Sequence, residues 1–96
     1  LSVRMQFEWD PKKAKSNLRK HRVSFSEASM VFSDVFSFTY DDAAHSYGEQ
    51  RYVTLGMSDQ SRVLVVAHTM RGEQVRLISA RKATPRERRA YEEENK

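Results

Sequence analysis

The sequence predicts an α+β domain: an antiparallel sheet of four to five strands with two N-terminal helices and one C-terminal helix packed on it. Three observations predict this. Apolar residues recur at helical spacing through residues 11–33, then alternate with a period of two from residue 35 to residue 82. Short turn-forming stretches separate the alternating runs. A capping signal reopens a helix at Thr84. The 96 residues suit one domain, residues 1–96, and are too few for two full cores.

Each element has a local cause. In "MQFEWD", Met5, Phe7 and Trp9 alternate onto one face of a short strand. Asp10 followed by Pro11 is a helix start, a cap and then a first-turn proline. That helix is expected to run to about His21, with Ala14 and Leu18 inward. "SFSE" opens a second helix, with Ser24 and Glu27 as a capping box and Val23 stapling onto Ala28. It should end near Ser33. Strands follow over residues 35–40, 51–57, 62–70 and 73–82, joined by "SDQS" and by Arg71–Gly72 as short turns. "VLVVA" is apolar on both faces, which marks the central strand. Thr84, Pro85 and Glu87 then start the last helix, with a capping box and an N1 proline.

Composition excludes several classes. No apolar run approaches the roughly 18 residues that span a bilayer, so no membrane association is expected. The first ten residues lack the basic start and apolar core of a signal peptide. Residues 1–4 are read as an appended leader with the natural start at Met5. The absence of cysteine removes disulfides, thiolate zinc sites and cysteine nucleophiles, and fits a cytoplasmic location. His21, His45 and His68 show no i, i+4 pairing, so neither a metal site nor another cofactor is expected.

The net charge of +4 is uneven. Residues 1–50 balance seven Lys/Arg against seven Asp/Glu, whereas residues 51–96 hold ten against six. Eight of those ten cations are arginine, whose planar fork matches phosphate oxygens. Residues 12–22 form a second basic stretch with six Lys/Arg and no acid. This charge fits a polyanionic partner, with ordinary solubility as the alternative reading. The last helix sharpens the point. Arg86, Arg88 and Arg89 crowd its positive dipole end and Glu92, Glu93 and Glu94 its negative end. Each misplacement costs about 0.3–1 kcal/mol. Phosphate at that helix start would relieve the repulsion; the alternative is that Arg88–Glu92 and Arg89–Glu93 pair at i, i+4 on a solvated face.

Strict alternation along residues 73–82 puts Arg81 on one face with Val75, Leu77 and Ser79, and Lys82 on the other with Arg76, Ile78 and Ala80. Arg81 then stands where a core edge opens into a cleft. His68 lies late on the neighbouring strand, and Glu49 and Arg51 begin the strand beyond. Arg88, Arg89 and Tyr91 can fold back over the same sheet. His45 reads as a loop residue, His21 as a helix-end cation, and His68 as either a buried, hydrogen-bonded side chain or a reacting one.

Two long blocks, "FEWDPKKAKSNLRKHRVSFSEA" and "RLISARKATPRERRAYEE", resemble the BrnT toxins of bacterial type II toxin–antitoxin pairs. The resemblance runs from Met5 to about Glu93. It implies a RelE-like ribonuclease toxin that cuts RNA without metal, inhibits translation and is neutralised by a BrnA-type ribbon-helix-helix antitoxin. Operator DNA would be contacted only through that antitoxin. Attack of a 2′-hydroxyl on the adjacent phosphate needs a base, cations on the phosphate and an acid for the leaving oxygen. Arg81, Arg51, Lys82, His68, Glu49 and Tyr91 are the catalytic candidates. Arg76, Arg88, Arg89, Lys20 and His21 are the candidates for phosphate binding. One departure is visible: the family often has Gly after the Lys-His pair, where this chain has Arg22. A positive φ there would strain arginine. The rival class is a basic module that binds nucleic acid or a protein partner without cleaving it.

Overall fold

In the computed structural model, which describes residues 5–94, the alternating segments become five strands. These are β1 (Gln6–Glu8), β2 (Phe38–Asp41), β3 (Arg51–Met57), β4 (Val63–Arg71) and β5 (Gln74–Lys82). The helices are α1 (Pro11–His21), α2 (Phe25–Ser29), which runs on into a 3-10 turn at Met30–Ser33, and α3 (Pro85–Glu94). The leader expected at residues 1–4 lies outside the described residues. One sheet has the order β1-β5-β4-β3-β2, with β4 central as expected. β2 to β5 pair antiparallel, but β1 pairs parallel to β5, Gln6 opposite Gln74. The sheet is therefore mixed. β1 is no hairpin partner of β5, so no tight turn imposes the antiparallel direction on it.

β2 begins later than expected. Asp34 explains the delay: its carboxylate accepts the Phe36 N–H at 2.9 Å and the Met57 N–H at 2.8 Å, and its carbonyl accepts Ser37 N–H at 2.9 Å. The chain turns there, leaving Val35 and Phe36 exposed. The capping box expected at α2 is half made. Ser24 Oγ accepts Glu27 N–H at 3.0 Å, but the Glu27 carboxylate turns inward to Ser58 and Arg62.

Helices cover both faces of the sheet. On the first face α1, α2 and the 3-10 turn bury Val23, Phe25, Ala28 and Val31 against Leu64, Val66, Val75, Leu77 and Ala80. Gly56 sits under that turn, where a Cβ would lie 2.9 Å from both the Val31 carbonyl and Ser37 Cβ. On the second face α3 lays Tyr91 over Val53, Leu55, Val63 and Val65.

The strict alternation expected in β5 fails at one place. His68 pairs with Leu77 and Ala67 with Ser79, so Ile78 is an extra residue opposite no partner. This bulge moves every later side chain to the opposite face. Leu77, Ala80 and Lys82 therefore share the first face, whereas Ser79 and Arg81 share the second with Arg76. The bulge is braced from α1. Asn17, buried, donates through Nδ2 to the Ala80 carbonyl (2.8 Å) and the Val23 carbonyl (2.9 Å), while its Oδ1 accepts Ala80 N–H at 3.0 Å. β1 pairs only with residues 74–76, so the Asn17 amide takes the place of a strand beside Ala80.

Two expected outcomes follow. Asn17→Ala strands three buried backbone groups, each costing about 1–3 kcal/mol, and should lower unfolding free energy by about 3 kcal/mol or more in urea titration. A loss below about 1 kcal/mol would remove Asn17 as the brace. Arg22 adopts φ 59° and ψ 30° as the C-cap of α1, its N–H donating to the Leu18 carbonyl. Since glycine enters that region without the Cβ penalty, Arg22→Gly should stabilise by about 0.5–1 kcal/mol. The 3.1 Å bond from Arg62 to the residue 22 carbonyl involves only the backbone at that position, so the substitution does not remove it.

Candidate nucleic-acid interface

α3 shields one end of the second face and leaves the other open. There the pleat of β3, β4 and β5 points Arg51, Thr69, Arg76, Ser79 and Arg81 outward together. The loop between β2 and β3 rises on one side and α1 on the other, so the open end becomes a set of adjoining grooves. One, of about 270 Å³, runs between Asp42, His45, Arg51, Ala67, Ser79 and Arg81. A second, about 260 Å³, shares His45 and Arg51 and continues to Lys13, Tyr47, Glu49, Arg71, Arg76 and Ile78. The third, about 220 Å³, lies between α1 and the bulge and adds Ser16, Lys20 and His21. Cations outnumber acids along the whole track.

Several of these cations are engaged. Arg81 makes a bidentate pair with Glu87, Nη1 to Oε1 at 2.7 Å and Nη2 to Oε2 at 2.9 Å. Glu87 also accepts Thr84 N–H at 2.9 Å, and Thr84 Oγ1 accepts Glu87 N–H at 3.2 Å, which completes the expected capping box. The Arg81 guanidinium holds the Glu87 carboxyl down at about 2. Arg76 lies 3.5 Å from Glu8 and Arg71 3.7 Å from Glu49. Arg51 differs: its buried Nε has no hydrogen-bond partner among the described residues. His45 is also held, its Nδ1 lying 3.0 Å from Asp42 Oδ1.

The structure thus brings together Arg51, Arg81, Glu49, Arg76, Lys20 and His21 from the sequence-predicted set. It places the others elsewhere. His68 lies on the first face, 4% exposed, its ring between Tyr52 and Phe32 and its Nε2 2.8 Å from Thr54 Oγ1. Burial pushes its pKa down to about 4. Lys82 follows the bulge to that same face, opposite Leu64. Tyr91 is buried under α3 and donates to Asp34, and burial with that carboxylate lifts its hydroxyl to about 12. Arg88 and Arg89 are exposed on α3 and line none of the three grooves. Sequence reasoning missed Lys13, Asp42, His45 and Tyr47. The signal for one pair was present: Asp42 precedes His45 by three residues in "DDAAHS", the spacing of a single turn.

The chain is thus a small α+β domain with an arginine-lined track across its sheet. The family model described as the ribonuclease toxin, BrnT, of type II toxin–antitoxin systems matches residues 9–87, and the chain belongs to this family. The crystal structure of the Brucella abortus ribonuclease toxin BrnT has the same fold. It superposes with a TM-score of 0.64 at 20% identity, covering 84% of this chain and 99% of that one. No curated protein matches the chain. Among the described residues no helix is long and apolar enough to cross a membrane.

The Arg81–Glu87 pair carries a pH signature. Because the Glu87 pKa falls from 4.5 to about 2 on folding, its contribution is fully present above about pH 4.5 and disappears as pH approaches 2. Glu27, lowered chiefly by its bonds from Arg62, acts in the same direction. Wild type should therefore be more stable than Glu87→Gln at pH 6, and the gap should close between pH 4.5 and 2 in urea titrations. A gap independent of pH would show that the pair contributes nothing through its charge.

Proposed function

We propose that this BrnT-family protein is a RelE-type endoribonuclease toxin that cleaves RNA without a metal ion, acts in the cytoplasm and inhibits translation. The observation that carries the reading is Arg51, which lines both central grooves and whose buried Nε has no partner among the described residues. A buried unpaired donor is costly in the free protein and is relieved by an anion such as a phosphodiester. Arg51 and Arg81 then stabilise charge on the pentavalent phosphate, and Arg76, Lys20 and His21 hold flanking phosphates along the track. Arg88 and Arg89 extend the positive field from α3, and Glu49, beside Arg71, stands at the groove wall. His68, Tyr91 and Lys82 act as supports, through the two cores and the end of β5.

The partner in this reading is a BrnA-type antitoxin whose ribbon-helix-helix domain makes the operator DNA contacts, while its acidic side chains occupy the phosphate positions of the groove. Antitoxin and RNA should then compete, and antitoxin association should slow as salt rises.

The test uses purified protein with single-stranded RNA in EDTA. Arg51→Ala is the informative variant, since no ion pair or hydrogen bond of that side chain is lost. Cleavage by wild type is expected, with a loss of about 100-fold or more in Arg51→Ala at unchanged melting temperature, the size typical of removing one charge-stabilising donor. RNA binding without cleavage would instead establish the non-catalytic binding module.

A further inference from the structure

Proton transfer in the groove falls to a residue that the charge pattern alone does not reveal. We propose that His45 is the catalytic base of the RNA-cleaving site, with Asp42 as its positioning residue; this rests on the ribonuclease reading above. Four observations converge on it. His45 lines both central grooves, and so does Arg51. Its Nδ1 lies 3.0 and 3.1 Å from the two oxygens of Asp42, so the carboxylate fixes the Nδ1–H tautomer and leaves Nε2 as the acceptor. The Asp42 side chain takes no part in capping the 3-10 turn Ala43–His45 that it precedes, and is committed to the imidazole instead.

The fourth observation is rigidity. A loop that carries a reacting group must be held, and this one is. Ser46 Oγ donates to the Asp42 carbonyl at 2.8 Å and accepts Arg51 N–H at 3.0 Å, and Asp42 N–H donates to the Arg51 carbonyl at 2.9 Å. The imidazole and the unpartnered guanidinium are thus tied to one another through the backbone. Of the other two histidines, His21 lines only the third groove, apart from Arg51 and Arg81, and His68 lies buried on the first face with its Nε2 bonded to Thr54. His68 therefore has no access to the groove.

The step balances without a cofactor. His45 Nε2 takes the proton of an RNA 2′-hydroxyl as its oxygen bonds to the adjacent phosphorus. The bond from phosphorus to the 5′-oxygen breaks, and that oxygen takes a proton from water in the open groove. The products are a 2′,3′-cyclic phosphate and a 5′-hydroxyl, and His45 returns its proton to solvent. Arg51 and Arg81 carry the added negative charge on the phosphate oxygens.

The experiment compares wild type, His45→Ala, Asp42→Asn and Asp42→Glu on one single-stranded RNA oligonucleotide of mixed sequence. Binding is measured in parallel on the same oligonucleotide with 2′-deoxyribose throughout. His45→Ala should lower kcat by about 100-fold or more, the usual scale of general base catalysis, with deoxy-oligonucleotide affinity within about twofold of wild type. Added imidazole should restore part of the rate. Asp42→Asn should lower kcat at unchanged KM, and Asp42→Glu should recover part of it, a split that a merely structural role would not produce. Cleavage by His45→Ala at the wild-type rate overturns the assignment while the ribonuclease reading stands. So does a loss of binding equal to the loss of rate. Absence of cleavage by wild type removes both.

Discussion

The extra residue at Ile78 is the constraint on which the rest of this structure depends. A strand with strict alternation would carry Val75, Leu77 and Arg81 on one face, and Arg81 would then have to enter the core beneath α1 and α2. With one residue inserted, Leu77 and Ala80 both point into that core while Arg81 stands on the other face beside Ser79. A bulge leaves the ladder interrupted and the edge unpaired, and β1 is too short to reach it. Asn17 closes the gap with two hydrogen bonds to Ala80 and a third to Val23. One amide therefore links α1, the α1–α2 connection and the bulged strand. It also sets the wall of the groove that contains Lys20 and His21.

Two carboxylates fasten the helices to this frame, and both accept several donors. Glu27 is buried and would be costly there alone; Ser58 and Arg62 bind it, and Arg62 also reaches the Arg22 carbonyl. That cluster ties α2 to the turn between β3 and β4. Glu87 does the same for α3, joining its cap at Thr84 to Arg81 on β5. At the other end of α3, Tyr91 sits on Val53, Leu55, Val63 and Val65 and bonds Asp34, which itself holds the turn before β2. These contacts explain why a helix with arginines at its positive end is stable. Exposed charges there cost about 0.3–1 kcal/mol each, and the buried face of Tyr91 and the doubly bonded cap offset them.

Local signals made most elements legible. Asp10–Pro11, Ser24 and Thr84–Pro85 mark helix starts that the structure keeps, and the period-two runs mark β3, β4 and β5 nearly to the residue. What was illegible is non-local. A bulge leaves no mark in a run such as "RLISARK", because whether Ile78 has a partner depends on β4, not on its neighbours in sequence. The parallel pairing of β1 depends on a strand almost seventy positions away. The same limit governs the site. Arg51, Arg76 and Arg81 were visible because arginine surplus is a compositional signal, but the face on which each stands was not. The alternation of His68 with Val66 and Met70 already favoured a buried side chain over a reacting one, and packing against Phe32 and Tyr52 shows it sealed. His45 looked like an ordinary loop residue because its partner Asp42 acts through geometry that the letters do not carry.

The two central arginines are not equivalent, and their difference bears on how the proposed site would work. Arg81 is already engaged: Glu87 takes the Nη1–Nη2 edge of its fork, so a phosphate approaching that edge must compete with a carboxylate fixed by a helix cap. Such a pair keeps the guanidinium rigid and correctly aimed, at the cost of part of its field. Arg51 has the opposite character. Its buried Nε lacks an acceptor among the described residues, and its backbone is held by Ser46 and the Asp42 loop. Binding an anion at Arg51 therefore breaks no existing ion pair, whereas binding at Arg81 requires sharing with Glu87. An electrostatic site benefits from donors that need no reorganisation when charge develops. By that measure Arg51 would be the primary phosphate contact of the proposed site and Arg81 the secondary one, the reverse of the order that the position of Arg81 at the end of an apolar strand face suggests.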